Sequence, residues 1–265
     1  MSLPLVQQPC LVDTHCHLDF SCFDSDRPEV IRNARQTGVK AIVVPGVVQS
    51  EWDSLMSVCE QYSDLHPAIG LHPCFMAQHA ALIEEELNQF VANHKVVAIG
   101  EIGLDLFERK DDFDDQMSLF KQQLRVAKTH ALPVIMHVRK AHDEVLKCLR
   151  EMDFKQGGTV HAYSGSLQQA KKYLDRGFKL GIGGGATYDR AQRLHKILRT
   201  LPLSAFVLET DAPDIPPSFA RGQRNSPVHL AQIAELAAQF SGLEYVRFCE
   251  QTTANALGLF NIDLG

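Results

Sequence analysis

Short apolar runs alternate with longer amphipathic segments along the chain. Runs such as AIVVP and VVAIG are apolar at consecutive positions, which is typical of parallel strands covered on both faces. Between the runs, apolar residues recur at helical spacing, as at Met117, Phe120 and Leu124. The pattern predicts eight strands, over residues 10–14, 41–45, 67–70, 96–100, 133–137, 158–161, 179–183 and 205–209, and helices that include residues 115–130, 166–176 and 228–240.

The regular alternation of strand and helix indicates the fold class. Eight consecutive strand–helix units without a break in composition favour one closed barrel over two smaller domains. A chain of 265 residues has the length of one such barrel. We therefore predict an α/β protein with a single (β/α)8 TIM barrel that spans residues 1–265.

Composition places the protein among soluble globular enzymes. Hydrophobic residues make up 45% of the chain and charged residues 22%, and no apolar run is long enough to cross a membrane. Residues 1–10 contain no basic side chain and no long apolar core, so we expect no signal peptide and a cytoplasmic location. Nothing in the sequence indicates a membrane partner or an obligate protein partner.

The net charge of −6 limits how nucleic acid is bound. A broad basic surface that grips a long duplex by counterion release is absent from the sequence. We therefore expect a nucleic-acid substrate to be held locally, at an end or along a single strand.

The seven cysteines form no Cys-x-x-Cys pair, which argues against a zinc knuckle or a disulfide framework. We expect reduced thiols that mostly fill the core. Cys16 differs from the others because it lies between two histidines.

Imidazoles and carboxylates collect at the carboxyl ends of the predicted strands. In a parallel barrel these ends meet at one face, where barrel enzymes carry their active sites. Residues from distant parts of the chain are therefore expected to converge there. The groups at the strand ends are His15, His17, Glu101, His137, His161, Glu209 and Asp211.

His15 and His17 indicate a metal site. Residues i and i+2 of an extended segment point the same way, so both imidazoles face one side and Cys16 faces the other. Two parallel imidazoles chelate a borderline metal ion. A lone His-x-His pair is equally compatible with surface histidines, but the groups at four other strand ends favour the metal site.

The candidate ligands exceed the four that one tetrahedral ion needs, which predicts two divalent ions per chain. Six side chains are available, namely His15, His17, Glu101, His137, His161 and Asp211. Glu101 is the expected bridge, because a carboxylate can offer one oxygen to each ion. This mixed ligand set accepts Zn, Mn, Co or Mg, and Mg suits imidazole least.

Two ions of this kind clamp the attacking and leaving oxygens and lower the pKa of a water molecule. Asp211 is expected to act both as a ligand and as the general base for that water. The alternative for Asp211 is a helix N-cap ahead of a proline-containing loop.

Seven sequence motifs resemble those of one family, in the same order along the chain. They are THCHLD at 14–19, GLHP at 70–73, IGEIGLD at 99–105, PVIMHVR at 133–139, HAYSGS at 161–166, LETDAP at 208–213 and RGQRNSP at 221–227. Together they resemble the TatD-type deoxyribonucleases, a branch of the amidohydrolase superfamily. The resemblance implies a (β/α)8 barrel, divalent metals, phosphodiester hydrolysis and the same six ligands. It also implies substrate-side roles for His72, Asp105 and Glu209.

His72 and Asp105 have alternatives in the residues themselves. His72 follows the third strand, where it is expected to contact a substrate phosphate or to protonate a leaving group. Its alternative is a loop-positioning role, because Pro73 fixes the turn. Asp105 is expected to orient a ligand histidine, and its alternative is an exposed loop aspartate.

Phosphate-binding groups are expected near the last strands. Gly184, within Gly183–Gly185, follows the seventh strand, where barrels often bind phosphate through backbone N–H groups. A tight turn is the alternative. Arg139 and Arg224 lie near loop ends, and guanidinium groups suit phosphate oxygens, although each is also compatible with a surface charge.

Three functions remain open at this stage. The first is a two-metal phosphodiesterase or deoxyribonuclease that acts on nucleic-acid ends or small phosphodiesters. The second is a C–N or C–O hydrolase of a cyclic amide or lactone, because the same metals activate the same water. The third is a non-catalytic metal-binding barrel, which the intact set of ligands and base disfavours. The glycine loop, the arginines and the resemblance favour the first.

Overall fold

Eight parallel strands follow one another around the sheet in sequence order. The computed structural model describes residues 9–80, 83–108 and 110–264. Each strand from β1 to β8 pairs in parallel with the next. The strands are Leu11–Asp13 (β1), Val39–Pro45 (β2), Leu65–Ile69 (β3), Ala98–Asp105 (β4), Val134–Arg139 (β5), Gly158–Val160 (β6), Phe178–Ile182 (β7) and Phe206–Leu208 (β8). The expectation about a signal peptide concerns residues 1–10, of which residues 1–8 lie outside the described part of the chain.

Helices connect the strands and cover the outside of the sheet. They are Arg27–Gln36 (α1), Trp52–Glu60 (α2), Glu84–Asn93 (α3), Phe113–Thr129 (α4), His142–Glu151 (α5), Leu167–Leu174 (α6), Gln192–Thr200 (α7), Leu230–Ser241 (α8) and Tyr245–Phe260 (α9). The three helices whose boundaries were predicted are all present. Each observed helix end differs from the predicted end by one or two residues. None of the helices within the described ranges is both long and apolar enough to span a bilayer.

The interior of the barrel is filled by small and β-branched residues from six strands. Val12, Ala41, Val43, Ala68, Ala98, Ile135 and Val207 form one buried cluster with Ala256 and Phe260 of α9. The Thr253 hydroxyl of α9 donates to the Cys10 carbonyl just before β1, which places this helix at the amino ends of the strands. The opposite end of the barrel is therefore the one open to a ligand.

The seam between β1 and β8 closes the barrel. The Thr14 N–H donates to the Leu208 carbonyl, and beyond the strands the N–H of His17 donates to the carbonyl of Ala212. The Asp211 N–H in turn donates to the His15 carbonyl at 2.8 Å. The predicted barrel is confirmed, and its closure extends into the two loops that carry the candidate ligands.

One predicted strand end is wrong by more than two residues. β4 continues to Asp105, five residues past the predicted end, so Glu101 lies within the strand and not after it. Pairing with β5 continues through Gly103 opposite His137 and Asp105 opposite Arg139. Glycines and carboxylates interrupt the apolar pattern here, and the sequence therefore resembles a loop.

Asn225 ties down the loop after β8. Its side-chain amide donates to the carbonyls of Thr210 and Asp214, both at 2.8 Å, and its oxygen accepts the Ser226 N–H. The side chain is completely buried. The loop that follows the last strand is therefore held by one residue that makes several hydrogen bonds.

We predict that Asn225→Ala lowers the free energy of unfolding by about 2–4 kcal/mol, because each buried polar group left without a partner costs about 1–3 kcal/mol. Urea denaturation followed by circular dichroism measures the change. Asn93→Ala is the control, because Asn93 is exposed and its side chain donates to the Gln89 carbonyl of the same helix. Equal unfolding midpoints for the two variants would show that Asn225 does not hold the loop.

Candidate metal centre

Histidines and an aspartate from the β1–β8 seam face one another. His15 Nε2 lies 3.2 Å from His17 Nε2 and 3.5 Å from Asp211 Oδ1. Asp211 has a left-handed backbone, with φ of 61°, a conformation that aspartate tolerates better than most residues. Cys16 is buried in the hydrophobic core on the other side, as the alternation of an extended segment requires.

The spacing of this group fits a tetrahedral ion. Glu101 Oε2 completes the group, at 3.2 Å from His15 Nε2 and 3.6 Å from His17 Nε2. Metal–ligand distances of about 2.0–2.1 Å place the ligands of a tetrahedral site about 3.4 Å apart. The separations that involve His15 and His17 run from 3.2 to 3.8 Å, close to that value, so the group has the spacing of ligands to one ion.

The other oxygen of Glu101 faces a second set of imidazoles. Glu101 Oε1 lies 3.2 Å from His137 Nδ1, 3.2 Å from His161 Nε2 and 3.3 Å from His72 Nε2. This oxygen is buried and has no hydrogen bond among the described residues. A buried carboxylate oxygen among converging imidazole nitrogens is the environment that a second cation would fill.

Hydrogen bonds on the far side of two rings fix which nitrogen faces the centre, and a carboxylate lies behind a third ring. His17 Nδ1 donates to the Pro45 carbonyl at 3.1 Å, which leaves the lone pair on Nε2. His137 Nε2 donates to Asp105 at 2.9 Å, which leaves the lone pair on Nδ1. His161 Nδ1 lies 3.5 Å from Glu209 Oε1, on the opposite side from the centre. Carboxylates behind ligand histidines commonly hold their tautomer and orientation.

Asp105 and Glu209 therefore lie behind the histidines. The side chain of Asp105 is buried, and its carboxylate also accepts the backbone N–H groups of Phe107 and Glu108. Glu209 is buried as well and accepts the Ala162 N–H at 2.6 Å. Asp105 lines neither cavity beside the centre and takes the position expected of a residue that orients a ligand histidine. Glu209 also lines a cavity beside the centre, so its contact with substrate stays a prediction.

In the His72 ring, unlike in the rings of His17 and His137, the nitrogen that faces the centre carries the proton. Its Nδ1 accepts the backbone N–H of Cys74 at 3.0 Å, so the neutral ring carries its proton on Nε2, toward Glu101. A nitrogen that carries a proton cannot ligate a metal, but it can donate a hydrogen bond to an oxygen. The geometry thus separates His72 from the candidate ligands.

The electrostatics of the cluster favour bound cations. Burial raises the pKa of Asp211 well above its ordinary value, and the carboxylates of Glu101 and Glu209 raise it further. Burial lowers the pKa of His161, but the carboxylates around it outweigh burial and raise it to about 10. Burial lowers the pKa of His17 to about 4, so that ring is neutral and its lone pair is free. Buried carboxylates in such proximity need positive charge beside them.

The centre opens into a cleft of about 550 Å³. Phe20, Phe75 and Arg139 line the cleft, and Phe20 stacks on the His17 ring at 4.6 Å. The Arg139 guanidinium lies 3.1 Å from Glu108 and 4.1 Å from the centroid of the Phe107 ring. Arg139 therefore lies at the mouth of the centre, and its contact with substrate stays a prediction.

Of the two other residues expected to bind phosphate, Gly184 lies at a cavity beside the centre and Arg224 does not. Gly184 lines a second cavity that also includes Asp211. Arg224 lines neither cavity, because Asp26 and the Cys22 carbonyl hold its guanidinium over the Phe23 ring. This corrects the expectation that Arg224 binds phosphate, since its charge is already paired.

Asp13 and Thr210 belong to the site but were not predicted from the sequence. The Asp13 carboxylate accepts the Thr210 hydroxyl at 2.6 Å and the Thr210 N–H at 2.9 Å, all buried within the seam. It also accepts the His15 N–H at 3.3 Å. An aspartate directly before a His-x-His pair at a strand end was the available signal, because a buried carboxylate there needs donors from a neighbouring strand.

Comparison with known proteins places the chain in a family. A family model described as TatD related DNase matches residues 12–261. The chain is 38% identical to the uncharacterized metal-dependent hydrolase YjjV of Escherichia coli strain K12, over 95% of this chain and 98% of that protein. It is 31% identical to the 3′-5′ ssDNA/RNA exonuclease TatD of Shigella flexneri serotype 5b, over 95% of this chain and 99% of that protein.

A solved structure agrees with these matches. The crystal structure of YjjV, a TatD homologue from Escherichia coli K12, superimposes with a TM-score of 0.91 and covers 96% of this chain and 98% of that one. The comparisons confirm the predicted enzyme class, a metal-dependent hydrolase of ester bonds. The chain therefore belongs to the TatD-related DNase family of metal-dependent hydrolases.

Proposed function

We propose that this protein is a two-metal phosphodiesterase that removes nucleotides from the 3′ end of single-stranded nucleic acid, and that residues 1–265 form one catalytic domain. The observation that carries the proposal is Glu101, whose two oxygens face two different groups of ligand atoms. The Shigella flexneri relative, named a 3′-5′ ssDNA/RNA exonuclease, supports the substrate and the direction.

Two divalent ions per chain fit the side chains. Both ligand groups contain imidazoles and share one carboxylate: His15, His17, Glu101 and Asp211 for one ion, and Glu101, His137 and His161 for the other. The many imidazoles favour Zn, Mn or Co over Mg. When bound, such a pair of ions lowers the pKa of water and stabilises charge on the phosphate oxygens.

Different side chains of the centre accept and donate protons in the proposed reaction. Asp211 is the proposed general base, because it lines the open cleft and, unlike Glu101, belongs to only one of the two ligand groups. His72 lies across the centre with its proton on Nε2, which suits hydrogen bonding to a phosphate or protonation of the leaving oxygen. Asp105 and Glu209 are positioning residues for His137 and His161.

The shape of the cleft favours a single strand. Phe20, Val47 and Phe75 line both the cleft of the centre and an adjoining cleft of about 540 Å³, so an extended strand can run from one to the other. Aromatic faces stack on bases without regard to sequence. The net charge of −6 argues against extended binding to a duplex, which supports local binding of an end.

The ligand assignment predicts the metal content. We expect one to two divalent ions per chain in the purified protein and loss of most of them in the double variant His15→Ala with His17→Ala, because both imidazoles belong to one group. Elemental analysis of the dialysed protein measures this. The matched control is His94→Ala with His130→Ala, two part-buried histidines that bond the Phe90 carbonyl and Asn88. An unchanged metal content in the first variant would refute the assignment.

The substrate assignment predicts metal-stimulated hydrolysis of a phosphodiester. We expect shortening of a 5′-labelled single strand from its 3′ end, abolition of this activity by chelator and its return with added Mn²⁺ or Zn²⁺. Lactones and cyclic amides in the same assay should remain intact. Tight, steeply salt-dependent binding to a long duplex would contradict local binding of an end.

Asp211→Asn separates the base from the ligands. We expect kcat to fall by about 10²–10⁴, the usual contribution of a general base, with little change in KM. The amide is nearly isosteric with the carboxylate, so the fold and at least one ion should remain.

The kcat of the variant is measured at saturating metal, so that loss of an ion does not lower it. A circular dichroism spectrum checks that the variant is folded. Asp214→Asn is the control, because it removes the same charge from the same loop three residues away. Activity of Asp211→Asn within a factor of about three of the parent would assign the role of base elsewhere, since the expected effect is far larger.

A further inference from the structure

A second cavity adjoins the metal centre on the side of β7 and β8. Its volume is about 390 Å³, at the lower end of the range for small-ligand pockets. Ala162, Ser164, Asp211 and Ile215 line both this cavity and the cleft of the metal centre. A molecule that reacts at the centre can therefore extend into the cavity.

The wall of the cavity is mainly apolar. The apolar side chains come from the loop after β7 and from the first two turns of α7, and they are Ala186, Ala191, Leu194 and Ile197. Such a wall suits a flat group of low polarity. Glu209 and Asp211 lie at the side next to the metal centre, so an anionic group in the cavity is repelled from that side.

Two arginines line the other side. Arg190 and Arg193 are exposed, and neither forms an ion pair with any residue in the described ranges. Arg190 lies 5.0 Å from the centroid of the Tyr188 ring, which holds the side chain near the cavity. The amino end of α7 begins at Gln192 between them, and its free N–H groups add positive potential. This side of the cavity therefore favours an anion.

Packing excludes a side chain at some glycines of the cavity but not at others. A Cβ on Gly181 would lie 2.1 Å from Glu209, and a Cβ on Gly184 would lie 2.2 Å from the Ile215 carbonyl, so packing explains both. A Cβ on Gly185 would meet no atom within 4 Å, and its φ is not in the left-handed region. Because Gly185 lines the cavity, a side chain there has open space before it. A larger residue at this position would occupy room that is otherwise available to a ligand.

We infer that this cavity receives the terminal nucleotide that is cleaved off, and that Arg190 and Arg193 bind a phosphate monoester on its 3′ oxygen. The inference rests on the proposed function, which brings the scissile phosphodiester to the metal centre. Base and sugar of the terminal unit then lie against the apolar wall, and the far end of the unit reaches the arginines. The enzyme accordingly prefers single strands that end in a 3′-phosphate over strands that end in a 3′-hydroxyl.

The test compares kcat/KM for the first cleavage of two 5′-labelled single strands that differ only in the 3′-terminal group. We expect the parent to prefer the 3′-phosphate by about tenfold, the effect of two partly exposed ion pairs. The double variant Arg190→Ala with Arg193→Ala should lose the preference. Arg199→Ala, an exposed arginine at the other end of α7, should keep it. A parent without preference, or a double variant that retains it, would overturn the inference.

Gly185→Leu tests whether the cavity is occupied during the reaction. We expect a higher KM for both strands, because the new side chain fills the cavity while the bound metal is unaffected. Gly258→Leu is the control, since Gly258 is also exposed with no atom within 4 Å of its Cβ but lies in α9. An unchanged KM in Gly185→Leu would place the terminal nucleotide elsewhere.

A binding measurement keeps this inference distinct from the proposed function. Calorimetric titration of the metal-loaded protein compares deoxyadenosine 3′,5′-bisphosphate with deoxyadenosine 5′-monophosphate. Tighter binding of the bisphosphate that the double arginine variant abolishes supports the cavity assignment, and equal affinities oppose it. If the parent hydrolyses no phosphodiester but shows this difference in binding, the proposed function fails and the anion site remains.

Discussion

The seam between β1 and β8 is the constraint on which the rest of the structure depends. A (β/α)8 sheet has to join its first and last strands, and here the Asp13 carboxylate and Thr210 make that join deep in the interior. The same backbone pairing continues from His15 to Ala212, beyond the formal ends of the strands. Ligands that are nearly two hundred residues apart in sequence are therefore held by the interactions that close the barrel.

Closing the barrel places several carboxylates in a buried space, and the arrangement of the centre follows from that. Glu101 and Asp211 lie among imidazoles, and Glu209 is covered by glycines that leave no room for a Cβ. Unpaired buried charge is costly, so such a cluster is stable only with cations or protons beside it. The hydrogen bonds behind His17 and His137 keep their lone pairs directed inward. Fold stability and metal affinity are thus linked through the same side chains.

The sequence predicts those features of the fold and the site that follow from the spacing of residues close together in the chain. The barrel and the convergence of His15 and His17 follow from periodicity and from the rule that active sites lie at strand ends. The full length of β4 does not, because its glycines and carboxylates obscure the strand pattern. Asp13 and Arg224 show the other limit: the partner of a polar side chain depends on which distant residue packs beside it. Asp13 pairs with Thr210 and Arg224 pairs with Asp26, and neither pairing is encoded in local sequence.

The proposed chemistry and the proposed selection of substrate fall on different parts of the structure. The candidate ligands lie on strands or on the β1–β8 seam, where barrel closure leaves little freedom. The residues around the second cavity belong to the loop after β7 and to the start of α7, where Gly185 and the exposed arginines are not required by packing. Residues that the fold does not need are free to vary with the ligand. In a protein of net charge −6, two arginines that form no ion pair within the described residues and lie beside the proposed reactive centre are accordingly better explained by a substrate anion than by stability.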